Sequence, residues 1–232
     1  MKNQTMKNNI KLGNSTMVNG KFIVVEGIEG AGKSSAIAVI ENMLNQHEIS
    51  YINTREPGGT PLAESLRDIV KSATHEEELT QETELLLMYA SRSQLLANRI
   101  LPALQEGQWV IGDRHDMSSR AYQGGGRNFD DKVINAIADI TLKGFRPDLT
   151  LYLDIAPELG LSRAKARGEL DRIELEKIDF FHRVRDKYCQ IAQQDKNIIT
   201  IDASQDMKAV HDDIREAIKR FLTSMDIAAS QG

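Results

Sequence analysis

Short apolar runs and longer amphipathic segments alternate along the chain. Five runs rich in β-branched residues are typical of buried strands, and they occupy residues 21–26, 51–54, 109–111, 149–153 and 198–201. Six segments with helical character predict helices at residues 34–46, 61–70, 80–101, 130–142, 157–166 and 207–222. This alternation predicts an α/β fold, in which a mostly parallel sheet carries helices on both faces.

Length and composition indicate one globular domain. The chain has 232 residues, of which 41% are hydrophobic, and a net charge of −5, which argues against general nucleic-acid binding. Residues 1–19 are polar and predict a flexible tail ahead of a domain at residues 20–226. No apolar run approaches the roughly 20 residues of a membrane span. The single cysteine, Cys189, fits a reducing cytoplasm.

One glycine-rich segment, Gly27 to Ser34, matches the complete pattern G-x-x-x-x-G-K-[ST] between a predicted strand and a predicted helix. Glycines allow backbone N–H groups to converge on phosphate oxygens, and the helix N-terminus adds partial positive charge. We expect Lys33 to reach the β- and γ-phosphates of ATP and Ser34 to bind Mg²⁺. The predicted nucleotide-binding residues are Gly27, Ile28, Glu29, Gly30, Ala31, Gly32, Lys33, Ser34 and Ser35.

The phosphate loop alone leaves the class of P-loop protein open. The chain lacks the Asn-Lys-x-Asp string that is typical of GTPases. A small kinase needs arginines that hold two polyanions together, and the candidates are Arg55, Arg67, Arg92, Arg114 and Arg127. A nucleoside monophosphate kinase fits this pattern. A kinase for a different acceptor base, a regulatory ATP-binding protein and a non-enzymatic partner-binding domain are the alternatives.

Further segments narrow the choice, because residues 54–60, 113–119, 121–124 and 147–154 resemble the signature segments of bacterial thymidylate kinase. The resemblance runs from about residue 21 to about residue 222. It implies a P-loop kinase fold with a five-stranded parallel sheet and a mobile lid. It also implies Mg²⁺-dependent phosphoryl transfer from ATP to dTMP, giving dTDP and ADP for dTTP synthesis, by a cytoplasmic homodimer.

The resemblance also assigns residues to the dTMP phosphate and sugar. Arg67 and Arg114 match the family arginines that hold the phosphate, and a planar guanidinium suits bidentate contact with phosphate oxygens. Tyr122 matches the tyrosine beneath the sugar. No general base is expected, because the acceptor phosphate has a second pKa of about 6 and is already ionised.

The resemblance assigns a second set of residues to the thymine base. Arg92 matches the arginine that reads the thymine carbonyl edge, Ser118 and Ser119 match a polar pair beside base and phosphate, and Gln123 matches a further base contact. Family members generally carry a stacking aromatic ring four residues before that arginine. Here this position is Met88, whose thioether can contact a ring face without offering a flat surface.

Asp113 follows an apolar strand and is expected to face Mg²⁺ directly or through water. Asp154 also ends an apolar strand, but the Asp113-Arg114 pair favours Asp113. Glu56 is expected to help organise the metal and acceptor region. The predicted metal ligands are therefore Ser34 and Asp113.

The most charged stretch, residues 163–185, is expected to form a mobile flap over the site, with a lid at about residues 163–177. The variable positions of the phosphate loop carry no basic residue, which resembles family members that supply the catalytic arginine from the lid. We therefore expect Arg172, together with Arg167, to close over ATP and stabilise the transferring phosphoryl group.

Overall fold

A five-stranded parallel sheet forms the centre of the computed structural model, which describes residues 20–72, 77–166, 168 and 171–230. The strands are β1 (Phe22–Glu26), β2 (Tyr51–Arg55), β3 (Trp109–Asp113), β4 (Leu149–Asp154) and β5 (Ile198–Asp202). Neighbouring strands pair in parallel in the order β2-β3-β1-β4-β5. The predicted α/β fold with a parallel sheet is therefore confirmed, and the strand that leads into the phosphate loop lies in its middle.

Helices connect these strands. They are α1 (Lys33–Gln46), α2 (Pro61–Lys71), α3 (Gln81–Leu95), α4 (Leu101–Gln105), α5 (Asp116–Ser119), α6 (Asp131–Leu142), α7 (Pro157–Lys165), α8 (Ile178–Ala192) and α9 (Met207–Ser230). The long helix predicted at residues 80–101 is interrupted, since the π-helical segment Leu96–Ile100 joins α3 to α4. A second π-helical segment, Arg120–Gly126, follows α5. π-helical turns occur frequently at functional sites.

Alternate residues of β1 face two apolar clusters on opposite sides of the sheet. Ile23 and Val25 share one cluster with Leu44 of α1. Phe22 and Val24 belong to the other, which includes residues of α3, α4 and α6. The sheet is therefore covered on both faces, as the near-continuous apolar strands predict.

Helix α8 corrects the expectation that residues 163–185 form a flap. Phe181, Val184 and Tyr188 of α8 are fully buried in the core. Arg163 lies in α7, where its guanidinium donates to the carbonyl oxygen of Ala203 at 3.0 Å. The segment between the two helices is thus limited to residues 166–177, of which 167, 169 and 170 lie outside the described residues.

The predicted tail at residues 1–19 lies outside the described residues, so the domain boundaries stay a prediction. Across the described ranges, no helix combines the length and the apolar character that a membrane crossing requires.

Candidate active site

The carboxyl ends of strands β1, β2 and β3 meet at one edge of the sheet. Asp113 of β3 lies beside Val25 of β1 and beside Arg55 of β2 in the parallel register. A cleft of about 190 Å³ opens at this edge. The predicted site residues that line it are Glu29, Lys33, Glu56, Arg67, Met88, Asp113, Arg114, Ser118, Tyr122 and Gln123.

The phosphate loop, residues 27–34, is tightly packed at its middle and open where α1 begins. Gly30 has a φ of 73°, and a Cβ there would lie 1.9 Å from the carbonyl oxygen of Gly160 in α7. Gly32 has a φ of 93°, but a Cβ there would meet no atom within 4 Å. Close packing against α7 thus fixes the middle of the loop, while the N-terminus of α1 stays accessible to an anion.

Lys33 presents its ammonium group at the cleft. Its Nζ donates to the carbonyl oxygens of Gly27 and Ile28, at 3.1 Å each. Burial and the nearby charge of Arg114 lower the pKa of Lys33 to about 8, although Asp113 opposes this shift. A phosphate group placed here would replace neutral carbonyl partners by a full negative charge, which would stabilise the charged ammonium.

Arg114 follows β3 with a left-handed backbone, at a φ of 71°. One of its nitrogens donates to a Glu29 carboxylate oxygen at 2.5 Å and to the Tyr122 hydroxyl at 3.2 Å. Another donates to the Ser118 hydroxyl at 3.1 Å. The Tyr122 hydroxyl in turn donates to the second Glu29 oxygen at 2.6 Å. Arg114 is therefore held in one orientation at the cleft wall.

The two candidate metal-binding aspartates differ in what their carboxylates contact. Asp154 accepts two hydrogen bonds from Arg185, at 2.8 and 2.9 Å, and one from the Tyr152 hydroxyl at 2.9 Å. Asp113 has a buried carboxylate oxygen, Oδ1, that accepts no hydrogen bond within the described residues. Mg²⁺ prefers hard oxygen ligands, so Asp113 fits the expected metal site. The Asp154 carboxylate is instead occupied by Arg185.

Arg92 and Ser119 lie behind the cleft wall rather than on it. The Arg92 guanidinium, which is fully buried, donates to Glu56 at 2.7 Å and to the Ser119 hydroxyl at 2.9 Å. The second Glu56 oxygen lies 2.7 Å from His115 Nδ1. Although burial opposes it, the charge of Arg92 lowers the pKa of Glu56, which keeps this buried carboxyl group ionised.

The assigned base-binding residues that line the cleft are Met88, Ser118 and Gln123. Met88 is 7% exposed on α3, and Gln123 is fully buried in the second π-helical segment. The amide nitrogen of Gln123 donates to Glu84 at 2.8 Å. Met88 therefore supplies an apolar surface and Gln123 an amide to the same cleft.

Arg172 contacts the acceptor side of the cleft. Its guanidinium donates to a Glu84 carboxylate oxygen at 2.6 Å and to the carbonyl oxygen of Val70 at 2.9 Å. Both partners belong to the α2–α3 side of the cleft, whereas the expected position was over ATP at the phosphate loop. The second expected lid residue, Arg167, lies outside the described residues.

Glu26 and Tyr188 are parts of this site that the sequence did not reveal. Glu26 is fully buried at the end of β1 and accepts hydrogen bonds from the Ser118 hydroxyl at 2.6 Å, the Tyr188 hydroxyl at 2.9 Å and the His115 backbone at 2.7 Å. Burial raises the pKa of Glu26. An acidic residue that directly ends an apolar strand was the available signal, but its partners are distant in sequence.

Comparison with known proteins agrees with this geometry. A family model described as "Thymidylate kinase" matches residues 25–214. A protein named "Thymidylate kinase" from Colwellia psychrerythraea is 72% identical over 210 residues, which cover 90% of this chain and 99% of that protein. Proteins of the same name from Pseudoalteromonas translucida and Shewanella frigidimarina are each 58% identical, over 87% and 89% of this chain and 96% of each relative.

Proposed function

Because this chain belongs to the thymidylate kinase family and is therefore a phosphotransferase, we propose that it transfers the γ-phosphoryl group of ATP to dTMP. The products are dTDP and ADP, as a step of dTTP synthesis. The observation that carries this proposal is the meeting of Lys33, Arg67 and Arg114 in one cleft. These three cations come from the phosphate loop, from α2 and from the end of β3, so that they can hold two nucleotide phosphates together.

Catalysis in this proposal consists of aligning two anions and neutralising charge. The phosphate loop binds the ATP phosphates through its backbone N–H groups and Lys33. Arg67 and Arg114 grip the acceptor phosphate, and Arg114 exchanges its contact with Glu29 for phosphate oxygens. The dTMP phosphate attacks as an ionised oxygen, so no side chain has to remove a proton.

Mg²⁺ is the proposed metal, and Ser34 and Asp113 are the residues that would hold it. Within the described ranges, Asp113 Oδ1 accepts no hydrogen bond. This oxygen and the hydroxyl of Ser34 are both hard oxygen ligands. When bound, the ion neutralises charge on the ATP phosphates. Few protein ligands are needed, because phosphate oxygens and water complete the coordination of Mg²⁺ in sites of this kind.

The remaining proposed contacts are with the nucleoside of dTMP. Met88 contacts a face of the base, and Gln123 contacts its edge. Ser118 lies beside base and phosphate, and Tyr122 packs beneath the sugar, where its ring leaves no room for a 2′-hydroxyl group. Their shared position on the cleft wall supports this assignment. Arg92 and Ser119 support the base site from behind the cleft wall, and Glu56, which lines the cleft, accepts a hydrogen bond from Arg92.

A catalytic role for Arg172 stays a prediction, because its present partners are Glu84 and Val70. In this position Arg172 anchors residues 171–177 to the acceptor side of the cleft. Arg172→Ala tests the predicted role. An arginine that acts on the transferring phosphoryl group contributes about 10³-fold or more, so a loss of that size in kcat would support catalysis by Arg172. A rise of about tenfold in the KM for dTMP, with kcat lowered less than tenfold, would show that Arg172 only anchors this segment.

We also propose that the enzyme is a cytoplasmic homodimer. Leu86 of α3 and Ile140 of α6 are 57% and 74% exposed, although both are large apolar side chains on helices that pack together. A partner subunit would remove such surface from water. Light scattering of the purified protein should give twice the chain mass of 26.0 kDa, and a mass of one chain at micromolar concentration would contradict the dimer.

The function is tested by an acceptor panel. The protein is incubated with ATP and Mg²⁺ and, in separate reactions, with dTMP, dUMP, CMP, GMP or AMP, and ADP release is measured. We expect strong release only with dTMP. Strong release with a different nucleotide would indicate a kinase for that acceptor, and release that needs no acceptor would indicate an ATP-hydrolysing regulatory protein.

A further inference from the structure

A buried carboxylate on α3 has no part in the mechanism above. Glu84 lies in the first turn of α3 and is 1% exposed. Three side chains donate to it: the Gln123 amide at 2.8 Å, the Arg127 guanidinium at 3.0 Å and the Arg172 guanidinium at 2.6 Å. Each donor belongs to a segment that borders the cleft. Glu84 therefore joins the base-binding segment to the segment at residues 171–177.

Its partners keep Glu84 in the charged form. Burial opposes ionisation, but the hydrogen bonds and charge of Arg127, with further hydrogen bonds from Gln123 and Arg172, lower the pKa of Glu84. An ionised carboxylate has no proton to donate and can only accept hydrogen bonds. The atom of Gln123 that faces Glu84 must therefore be the amide nitrogen.

This contact fixes the other end of the same amide. With the Gln123 nitrogen bound to Glu84, the amide oxygen Oε1 is turned away from the carboxylate. Oε1 is buried and accepts no hydrogen bond within the described part of the chain. A buried acceptor without a partner is unfavourable, and Gln123 lies on the wall of the cleft. A ligand that brings a hydrogen-bond donor to this wall would satisfy the unpaired oxygen.

We propose that Glu84 is a positioning residue that orients Gln123 as a fixed acceptor for the N3–H group of the acceptor base. The inference rests on the proposed function, because it assumes that a pyrimidine monophosphate occupies this cleft. Arg127 and Arg172 support this Glu84–Gln123 contact, because they hold Glu84 ionised and in place. Glu84 touches no substrate and acts only through the amide.

The proposal predicts which pyrimidines the cleft accepts. Thymine and uracil carry a hydrogen on N3, which can donate to Gln123 Oε1. Neutral cytosine carries a lone pair on N3, so that two acceptors would face each other. A site built to bind a donor rejects an analogue that lacks it far more strongly than an apolar pocket rejects a missing methyl group. The orientation of the Gln123 amide would thus make the enzyme discriminate between dTMP and dCMP, but not between dTMP and dUMP.

The test replaces the carboxylate by an amide. In Glu84→Gln the new side chain can present either its oxygen or its nitrogen to Gln123, so that the fixed orientation is lost. We expect the ratio of kcat/KM for dTMP to that for dCMP to fall about tenfold or more, while the ratio for dTMP to dUMP changes less than twofold. Glu82→Gln, on the exposed side of the same helix, is the matched control and should retain both wild-type ratios.

Two further variants keep the test informative if Glu84→Gln folds poorly. Glu84→Asp retains an acceptor-only carboxylate and should retain most of the preference for dTMP over dCMP. Gln123→Met removes the amide and should lose this preference. Wild-type ratios in Glu84→Gln or Gln123→Met, with the wild-type enzyme active on dTMP, would overturn the inference alone. A wild-type enzyme without activity on dTMP would overturn the proposed function and the inference together.

Discussion

The phosphate loop and the acceptor side of the cleft are built in different ways. Eight consecutive residues form the loop, and its shape depends on backbone packing such as that of Gly30 against Gly160. The acceptor side is assembled from distant segments, through buried ionic contacts such as Arg92 with Glu56 and Arg172 with Glu84. The proposed binding site for the donor phosphates is thus a local sequence motif, and the proposed acceptor site is a network that exists only in the folded chain.

This difference separates the expected effects of mutations. Lys33 and Ser34 of the loop are proposed to contact ATP and Mg²⁺, so their replacement should affect catalysis more than stability. The buried carboxylates on the acceptor side pair with buried guanidinium groups. Removing such a carboxylate leaves the guanidinium without its partner and should lower stability strongly. Measuring activity and unfolding for the same variants would show whether the two regions differ in this way.

The largest expected effect belongs to Lys33, on the donor side. Lys33→Met removes the cation that is proposed to contact the transferring phosphoryl group, and we expect kcat to fall by about 10³-fold. Steady-state kinetics with ATP and dTMP measure the change, and Lys208→Met, at an exposed lysine of α9, is the control. If kcat stays within tenfold of the wild-type value, Lys33 is not a catalytic residue.

Glu56 on the acceptor side should show the opposite balance. Glu56→Ala leaves the fully buried Arg92 without its closest carboxylate, and breaking a buried pair in this way costs about 3–5 kcal/mol of unfolding free energy. Urea unfolding measures this loss. Glu216→Ala breaks an exposed ion pair with Arg220 and should cost less than about 1 kcal/mol. Equal losses in the two variants would show that the buried contact is not a stabilising element.

The lowered pKa of Lys33 predicts a pH effect on stability. The folded chain loses this proton near pH 8, because burial and Arg114 disfavour the ammonium, while the unfolded chain loses it near pH 10.5. Between these values the unfolded state binds more protons, so stability rises with pH. Relative to Lys33→Met, we expect the wild type to gain on the order of 2 kcal/mol of unfolding free energy across this window. Parallel profiles for the two proteins would contradict the lowered pKa.

Met88 should give the smallest effect. Met88→Phe places a flat ring at the cleft wall, and stacking on the base is worth about 0.5–1.5 kcal/mol. We expect the KM for dTMP to fall about threefold, while the KM for ATP stays the same. If the KM for dTMP does not change, Met88 does not contact the base.

The sequence predicted the parts of the molecule that depend on neighbouring residues. Strand β1, the phosphate loop and the start of α1 follow from one continuous pattern, and the structure has them at the expected positions. Helix α8 was missed because charged residues surround its apolar positions Phe181, Val184 and Tyr188. These three positions share one helical face, which only the packed structure identifies as buried.

The acceptor side was predicted less completely, for a physical reason. The resemblance identified Gln123 and Arg172 as site residues, but it did not reveal Glu84, which binds both. A glutamate in the first turn of a helix is ordinarily exposed to solvent, and its negative charge interacts favourably with the helix dipole. What makes Glu84 buried is the arrival of donors from residues about 40 and 90 positions later, as the contacts with Gln123 and Arg172 show.

We propose above all that donor and acceptor phosphates meet in one cleft and that the phosphoryl group passes directly between them. The most direct measurement is a single turnover with ATP labelled at its γ-phosphorus, in the presence of Mg²⁺ and dTMP. We predict that the label appears in dTDP, with one equivalent of ADP formed and little inorganic phosphate. Label released mainly as inorganic phosphate, at a rate that does not depend on dTMP, would contradict the claim.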